Sequence, residues 1–408
     1  MPGKKKLGVW IIGIYGEVAS ATILGAQALA AGYSTTTGLL TETGPFKVLN
    51  LTPFPDLVFG GHDIHQGNLY KSIRDYVREN RVFDLEHLAS LQGGVEAMEQ
   101  SIRLGTVSQC GDVVASMADP QVTRGQGAME ETVVRIAQDM KAFQKSHDLE
   151  RVVVVNLSSA EPEIDETLPQ TLEEWESQLK ERISKNITAS MLYAYAALMN
   201  GFPYINFTPS AGSSAPALQE YALLQGVPHY GNDGKTGETL IKTVLAPMFL
   251  YRNLEVMSWE GYNLLGNGDG RVLQNPSHKK AKLRNKEEVL PMILGYSPHS
   301  KVSIDYVPSL RDWKTAWDFI HFKGFLDTPM SIQFTWQGCD SILAAPLVLD
   351  LIRLMDFAAE NGEKGLMTQL ACFFKYPLGV AEQRLSHQYE ALVNYVEKHT
   401  QKTSKKSI

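Results

Sequence analysis

Residues 231–287 concentrate the side chains best suited to chemistry. They open with Gly231-Asn-Asp233-Gly-Lys235-Thr-Gly237, continue through Gly266-Asn267-Gly268-Asp269-Gly270, and end at Leu283-Arg-Asn-Lys286-Glu287. All three runs are polar and flexible. A Gly-rich polar loop that opens a helix gathers backbone N–H groups around an anion, and neighbouring lysines add charge for a phosphate or a developing oxyanion. An exposed helix start explains Gly-Lys-Thr at 234–236 more simply, yet the clustering favours an anion site. A nucleotide-triphosphate loop is excluded, because G-x-x-x-x-G-K-[ST] requires glycine where the chain has His229.

Further charges sit in apolar surroundings: Asp312 and Lys314 flank a tryptophan, Asp340 follows Cys339, and Lys375 lies between Cys372-Phe-Phe and Tyr-Pro-Leu. Lysines bind phosphate, or shuttle protons where burial or neighbouring cations lower their pKa. Any single lysine is more often a solvated surface charge, and Asp340 would equally serve to cap a helix over 342–360. No His pair or carboxylate cluster has metal-ligand spacing, so no metal is expected.

These residues need a scaffold. Leu7–Ile14 reads as a buried parallel strand running through Gly13-Ile-Tyr15-Gly16-Glu17-Val18-Ala19 into a small-residue helix over 21–31. Strand, Gly turn and helix is the geometry that lays a dinucleotide pyrophosphate on a helix N-terminus. The spacing here is G-x-x-G-x-x-A, and no acid stands about twenty residues on, where a ribose partner is usual. Asp63, after a strand over 56–59, is the substitute, with a helix N-cap as its alternative role. Asn156 and Ser158 follow the apolar strand 151–156, at the carboxyl end where open α/β sheets bind ligands.

Helical patterns over 68–104, 130–147 and 172–200 alternate with strands up to about residue 240 and imply a mainly parallel sheet. Beyond it, strands at 302–307 and 330–336 suggest an inserted sheet-rich part, followed by helices 342–360 and 367–374. The reading is α/β: a Rossmann-like doubly wound parallel sheet (1–240), an inserted α+β catalytic and oligomerisation domain (241–345), and C-terminal helices (346–408) that return to the first domain. The tail after about Glu397 is expected to fray.

At 408 residues the chain has room for two or three domains. A net charge of −7 argues against a nucleic-acid partner. The 3 cysteines, far apart and odd in number, make neither a disulfide framework nor a zinc pattern and fit a reducing cytoplasm. Leu7–Ile14 is too short for a secretory signal, and no apolar run approaches bilayer length.

The runs at 231–237, 262–270, 283–287, 312–314, 339–346 and 374–377 occur in an order that resembles the myo-inositol-1-phosphate synthase family. The resemblance extends from the Gly turn at 13 to Pro377. It implies conversion of glucose 6-phosphate to inositol phosphate with tightly held NAD: oxidation at C5, enolisation at C6, aldol closure onto C1, and reduction. It further implies a homotetramer built through the inserted sheet. By position, Lys286, Lys314 and Lys375 resemble the active-site lysines, with Asp233 and Asp340 as acidic partners. Asn267, Gly268, Asp269, Lys235 and Asp312 fall at the substrate. Gly13, Tyr15, Gly16, Glu17, Val18, Ala19, Asp63, Asn156, Ser158 and Gly270 are the implied NAD contacts. The chain departs from the family pattern at Leu290, where a second lysine is usual, and at Gly268, where a second Asn is usual. Lys279, Lys280 and Lys282 are the nearest substitutes for the missing lysine. An enzyme on another sugar phosphate, a simple dehydrogenase and a non-catalytic NAD-binding protein are the alternatives.

Overall fold

The computed structural model describes residues 6–122, 128–164, 167–182, 184–275 and 289–406. The strand β1 (Leu7–Ile12) is buried along its whole length, as an uninterrupted apolar strand must be when helices cover both faces of its sheet. It pairs in parallel with β2 (Leu57–Asp63) on one side and β4 (Arg151–Asn156) on the other. With β3 (Ile102–Leu104), β5 (Tyr204–Asn206), β6 (Pro228–Gly231) and β11 (Gly365–Leu366), the order is β11-β6-β5-β4-β1-β2-β3, parallel throughout. On one face, helix Glu17–Ala30 packs with the long helix Asp340–Glu360. Helices Met129–Ser146 and Ala189–Met199 cover the other.

A second sheet, of order β10-β9-β7-β8, is built from β7 (Glu255–Leu265), β8 (His299–Tyr306), β9 (Trp313–Lys323) and β10 (Pro329–Cys339). Its inner face meets helices Glu238–Tyr251 and Val289–Leu294 through Phe249, Trp259, Ile320 and Phe322.

Several boundaries differ from the sequence reading. β1 stops at Ile12, and the first helix starts at Glu17 rather than 21; Glu17 suits a first turn, where a negative charge meets the positive end of the helix dipole. The stretch 68–104 divides into helices Leu69–Asn80 and Leu85–Met98 and then β3. Arg81 ends the first of these in the left-handed region (φ 56°), and Asp84 caps the second through the N–H groups of Glu86 and His87. The stretch 172–200 likewise splits into Leu172–Leu179 and Ala189–Met199. The long helix begins at Asp340, two residues before the expected 342, while 367–374 is a 3-10 helix over Thr368–Phe373. The terminal helix Leu385–Lys406 carries on through the segment expected to fray.

Candidate functional site

Gly13 leaves β1 with φ +82°, and a Cβ there would lie 3.0 Å from the Ser158 Cα. Only glycine combines that left-handed backbone with so close an approach. Gly13 N–H donates to the His62 carbonyl at 2.8 Å, so the turn is tied to the end of β2 while it passes over the loop after β4. The connections from neighbouring β1 and β4 leave in opposite directions, which opens a crevice above their carboxyl ends. The N-terminus of helix Glu17–Ala30 faces that crevice.

Two connected spaces occupy it, with Tyr15, Gly16, Ser158 and Gly268 lining both. The smaller, about 260 Å³, runs past Asp63 toward Ile64, Val114, Met117 and Tyr193. Asp63 closes β2 and is not a helix cap. It accepts from Tyr15 N–H at 2.9 Å and Ile64 N–H at 2.7 Å, and it pairs with His65, whose pKa that contact raises. Tyr15 O–H donates to Glu99. Glu161, buried in the wall, accepts from Ser190, and burial holds its carboxyl above the usual range. Asn156 does not reach this space; it is buried, donates to Asn206 and Thr208, and accepts from Ser158. Ala19 is buried in the core between the first helix and the sheet.

The larger space, about 410 Å³, is lined by Glu17, Val18, Asp233, Thr236, Asn267, Asp340, Ser341 and Lys375, among others. Lys375 Nζ stands 2.8 Å from Asp233 Oδ1, and both residues are buried. Their backbones are stitched together: Lys375 N–H donates to the Asp233 carbonyl at 2.7 Å, and Lys235 N–H to the Phe373 carbonyl at 2.8 Å. Asp340, in the first turn of its helix, accepts from the Thr236 hydroxyl at 3.3 Å. Gly268 N–H reaches Glu17 Oε2 at 3.4 Å and brings the glycine loop over the helix start.

Asp312, expected at the substrate, is instead a buried anchor. It accepts from Asn267, Ser341, Tyr76 and Cys339, and burial raises its carboxyl above the usual range. Burial also pushes the Cys339 thiol up to about 12, which keeps it protonated at neutral pH. Lys235 points away from the crevice into a separate apolar cavity lined by Leu240, Pro247 and Phe373. It donates to Gln388 at 2.6 Å, and burial lowers its pKa to about 8. Lys314 is buried against Gly237, its Nζ 3.6 Å from where a Cβ would stand there. Gly270 packs on Leu265 and Tyr306. Asp269 belongs to the short helix Gly268–Val272, with its side chain outside the described residues; Lys286, Lys279, Lys280 and Lys282 also lie outside them. Leu290 is fully buried with Phe249, Trp259 and Ile293, so no ammonium stands there.

Sequence reasoning missed Thr208, Thr236 and Ser341 in the crevice and Glu161 and Tyr193 beyond it. For Thr208 the signal was present: it immediately follows the short strand β5, at the same end as Ser158.

A family model described as myo-inositol-1-phosphate synthase matches residues 7–397. The chain belongs to the myo-inositol-1-phosphate synthase family. It is 33% identical over 408 residues to inositol-3-phosphate synthase 1 of Bacteroides thetaiotaomicron, covering 95% of this chain and 92% of that protein. Inositol-3-phosphate synthase of Dictyostelium discoideum is 28% identical, over 86% of this chain and 74% of its own length. The fold matches the crystal structure of inositol-3-phosphate synthase from Caenorhabditis elegans with a TM-score of 0.85 at 23% identity, covering 97% of this chain and 86% of that one. NAD is the cofactor of this synthase family, and the crevice fits it. The Gly13 cradle, which a Cβ would fill, and the helix start at Glu17 suit a pyrophosphate. The space beside Asp63 and Val114 suits an adenosine, and the space beside Asp233 and Lys375 a nicotinamide with substrate.

Proposed function

We propose that this chain cyclises D-glucose 6-phosphate to 1D-myo-inositol 3-phosphate, an NAD-dependent isomerisation without net oxidation. The observation that carries this reading is the buried Asp233–Lys375 pair, 2.8 Å apart, on the same crevice as the Gly13 turn and Asp340. When bound, NAD would accept a hydride from C5 of the sugar and return it to the same carbon after ring closure. Lys375, charge-balanced by Asp233, stabilises the C5 oxygen as it loses its proton, and Lys314 is assigned to the same oxygen. The ketone so formed makes the C6 protons acidic; one leaves with help from the substrate phosphate, and the enolate carbon attacks the C1 aldehyde to close the ring. Each stage places negative charge on oxygen, which preorganised ammonium groups stabilise in a site shielded from water. Lys286 is assigned to the substrate oxyanion and phosphate, and Asp340 is the second acidic partner. Asn267, Gly268 and Asp269 are assigned to the substrate.

Incubation with NAD and glucose 6-phosphate, followed by phosphorus NMR, tests this. An inositol phosphate resonance without NADH accumulation is the expected result. Stoichiometric NADH would make the protein a dehydrogenase, and bound NAD without turnover a binding protein. Leu290, where no ammonium can stand, favours a second reading, action on a different sugar phosphate, and the same assay run on other aldose phosphates separates the two.

The assignment extends to a homotetramer joined through the outer face of the second sheet, where Tyr262 and Trp317 are 37% and 38% exposed and their rings adjoin. Light scattering after gel filtration checks this, and a monomer at micromolar concentration would exclude it. A cytoplasmic location accords with three buried cysteines that are not joined in disulfides. No helix among the described residues is long and apolar enough to cross a membrane.

A further inference from the structure

The inner face of the second sheet carries charge where hydrocarbon would pack more cheaply. Along β9, Lys314, Ala316 and Asp318 alternate onto that face, all buried. Opposite Asp318 in the ladder stands Gly261, and opposite Ala316 stands Asn263. These small partners leave room for two side chains from the first turns of helix Glu238–Tyr251. Glu238 and Lys242, both fully buried, pair at 2.9 Å. Asn263 donates its amide to Glu238 Oε2, and Trp259 Nε1 donates to Asp318 Oδ1 at 2.8 Å. A Cβ on Gly261 would come within 2.7 Å of Glu238 Oε1 and 3.3 Å of Asp318 Oδ1, so the two carboxylates converge at the same glycine. Glu238 directly follows Gly237, against which Lys314 Nζ rests.

Removing a carboxylate and an ammonium from water costs several kcal/mol per ion, and a well-packed apolar set of similar volume often folds at least as stably. With these groups charged, two carboxylates and one ammonium carry a single net negative charge on the face that Lys314 shares. We propose that Glu238, Asp318 and Lys242 are positioning residues for Lys314: their converging charges hold its ammonium against Gly237, next in the chain to Thr236, which lines the crevice. The inference rests on the catalytic assignment of Lys314. Asp312 stands two residues before Lys314, and its carbonyl accepts from Asp340 N–H at 2.9 Å; Asp233, Asp340 and Lys375 line the crevice beside Thr236.

The test is the pH dependence of kcat and KM for Glu238→Gln, Asp318→Asn and Lys242→Met, with the thermal midpoint recorded for each. Removing a carboxylate while keeping its shape is expected to lower kcat by about 100-fold, the scale of a misplaced catalytic group, and to leave KM within about twofold, since the substrate's own contacts are untouched. The alkaline limb of kcat then moves down by about one pH unit, whereas Lys242→Met, which removes the opposing charge, moves it up by a similar amount. Glu238→Asp, which keeps the charge, restores the limb.

Opposite displacements of the limb support the proposal, because a purely structural cluster would lower the thermal midpoint without moving a titration in two directions. Displacements of one sign, or an unmoved limb, overturn it. Failure of both isosteric variants to fold also overturns it, by showing that the cluster serves the fold. Lys314→Ala keeps the layers separate: wild-type turnover in that variant removes the catalytic assignment itself, whatever the limb does.

Discussion

Around β1 the interior is hydrocarbon on both sides: Val9 and Ile11 meet one helical layer, and Trp10 and Ile12 the other. Behind β9 the interior holds Asp318, Glu238 and Lys242, with Ile320 and Phe322 only further along the strand. The first sheet keeps its chemistry at the carboxyl ends of its strands, where Gly13, Asp63 and Ser158 stand clear of the core. The second sheet carries charge on its inner face. A parallel sheet between two helical layers has no face to spare, so ligands meet it at an end. A mixed sheet covered on one side can carry polar groups inward, provided each finds a partner.

The largest effect should come from the point where the two regions meet. Lys375→Met removes a cation from the crevice and leaves Asp233 buried without it, and turnover is expected to fall by about 10³-fold, read by the phosphorus NMR assay. A smaller loss would shift the main burden of oxyanion stabilisation to Lys314. Gly261→Ala probes the face of the second sheet: overpacking against Glu238 should cost about 1–3 kcal/mol in denaturant unfolding and shift the pH profile of kcat. Stability lost with an unchanged profile would make the two interiors equivalent. Gly13→Ala probes the strand ends of the first sheet. Left-handed strain of about 1–2 kcal/mol should weaken NAD binding roughly tenfold by calorimetry, with little change in the pH profile.

The smallest expected effect concerns Asp350 on the long helix, whose carboxyl burial pushes up to about 6. An acid whose folded pKa lies above its unfolded value favours the fold while protonated, and that contribution fades as pH rises from about 4 through about 6. Asp350→Asn should therefore flatten the pH dependence of stability across this window; burial outweighs the lowering from the Thr41 hydroxyl, the Leu40 and Thr41 N–H groups and Arg353. A steeper profile in the variant would reverse the sign of the argument.

What could be read from the sequence follows the same division. Continuous apolar residues and a glycine turn made β1 and its helix plain. The parallel order followed from alternation of strand and helix. β9 was not recognised as a strand, because Lys314 and Asp318 occupy inward positions where the two-residue period calls for hydrocarbon. β11 escaped notice because two residues carry no period at all. Within the site, Asp233, Asp340, Asn267 and Lys375 do share one wall. Lys235 does not join them: in a turn, successive side chains leave on different sides, and spacing cannot say which side faces the ligand. Asp312 shows a related limit, since the same carboxylate serves equally to hold a ligand or to hold four neighbouring side chains.

The stitching of residues 231–237 to 373–378 has a consequence for the birth of the molecule. Asn232 and Tyr376 exchange backbone hydrogen bonds at 2.8 and 3.1 Å, and Leu378 N–H reaches Gly231 at 2.9 Å. Asp233 is thus made some 142 residues before the lysine that balances it. A nascent chain emerging from the ribosome carries the glycine turn early, yet Asp233 stays without its lysine until translation has passed residue 375. Fragments cut short before residue 376 should be inert, however well their first sheet has closed.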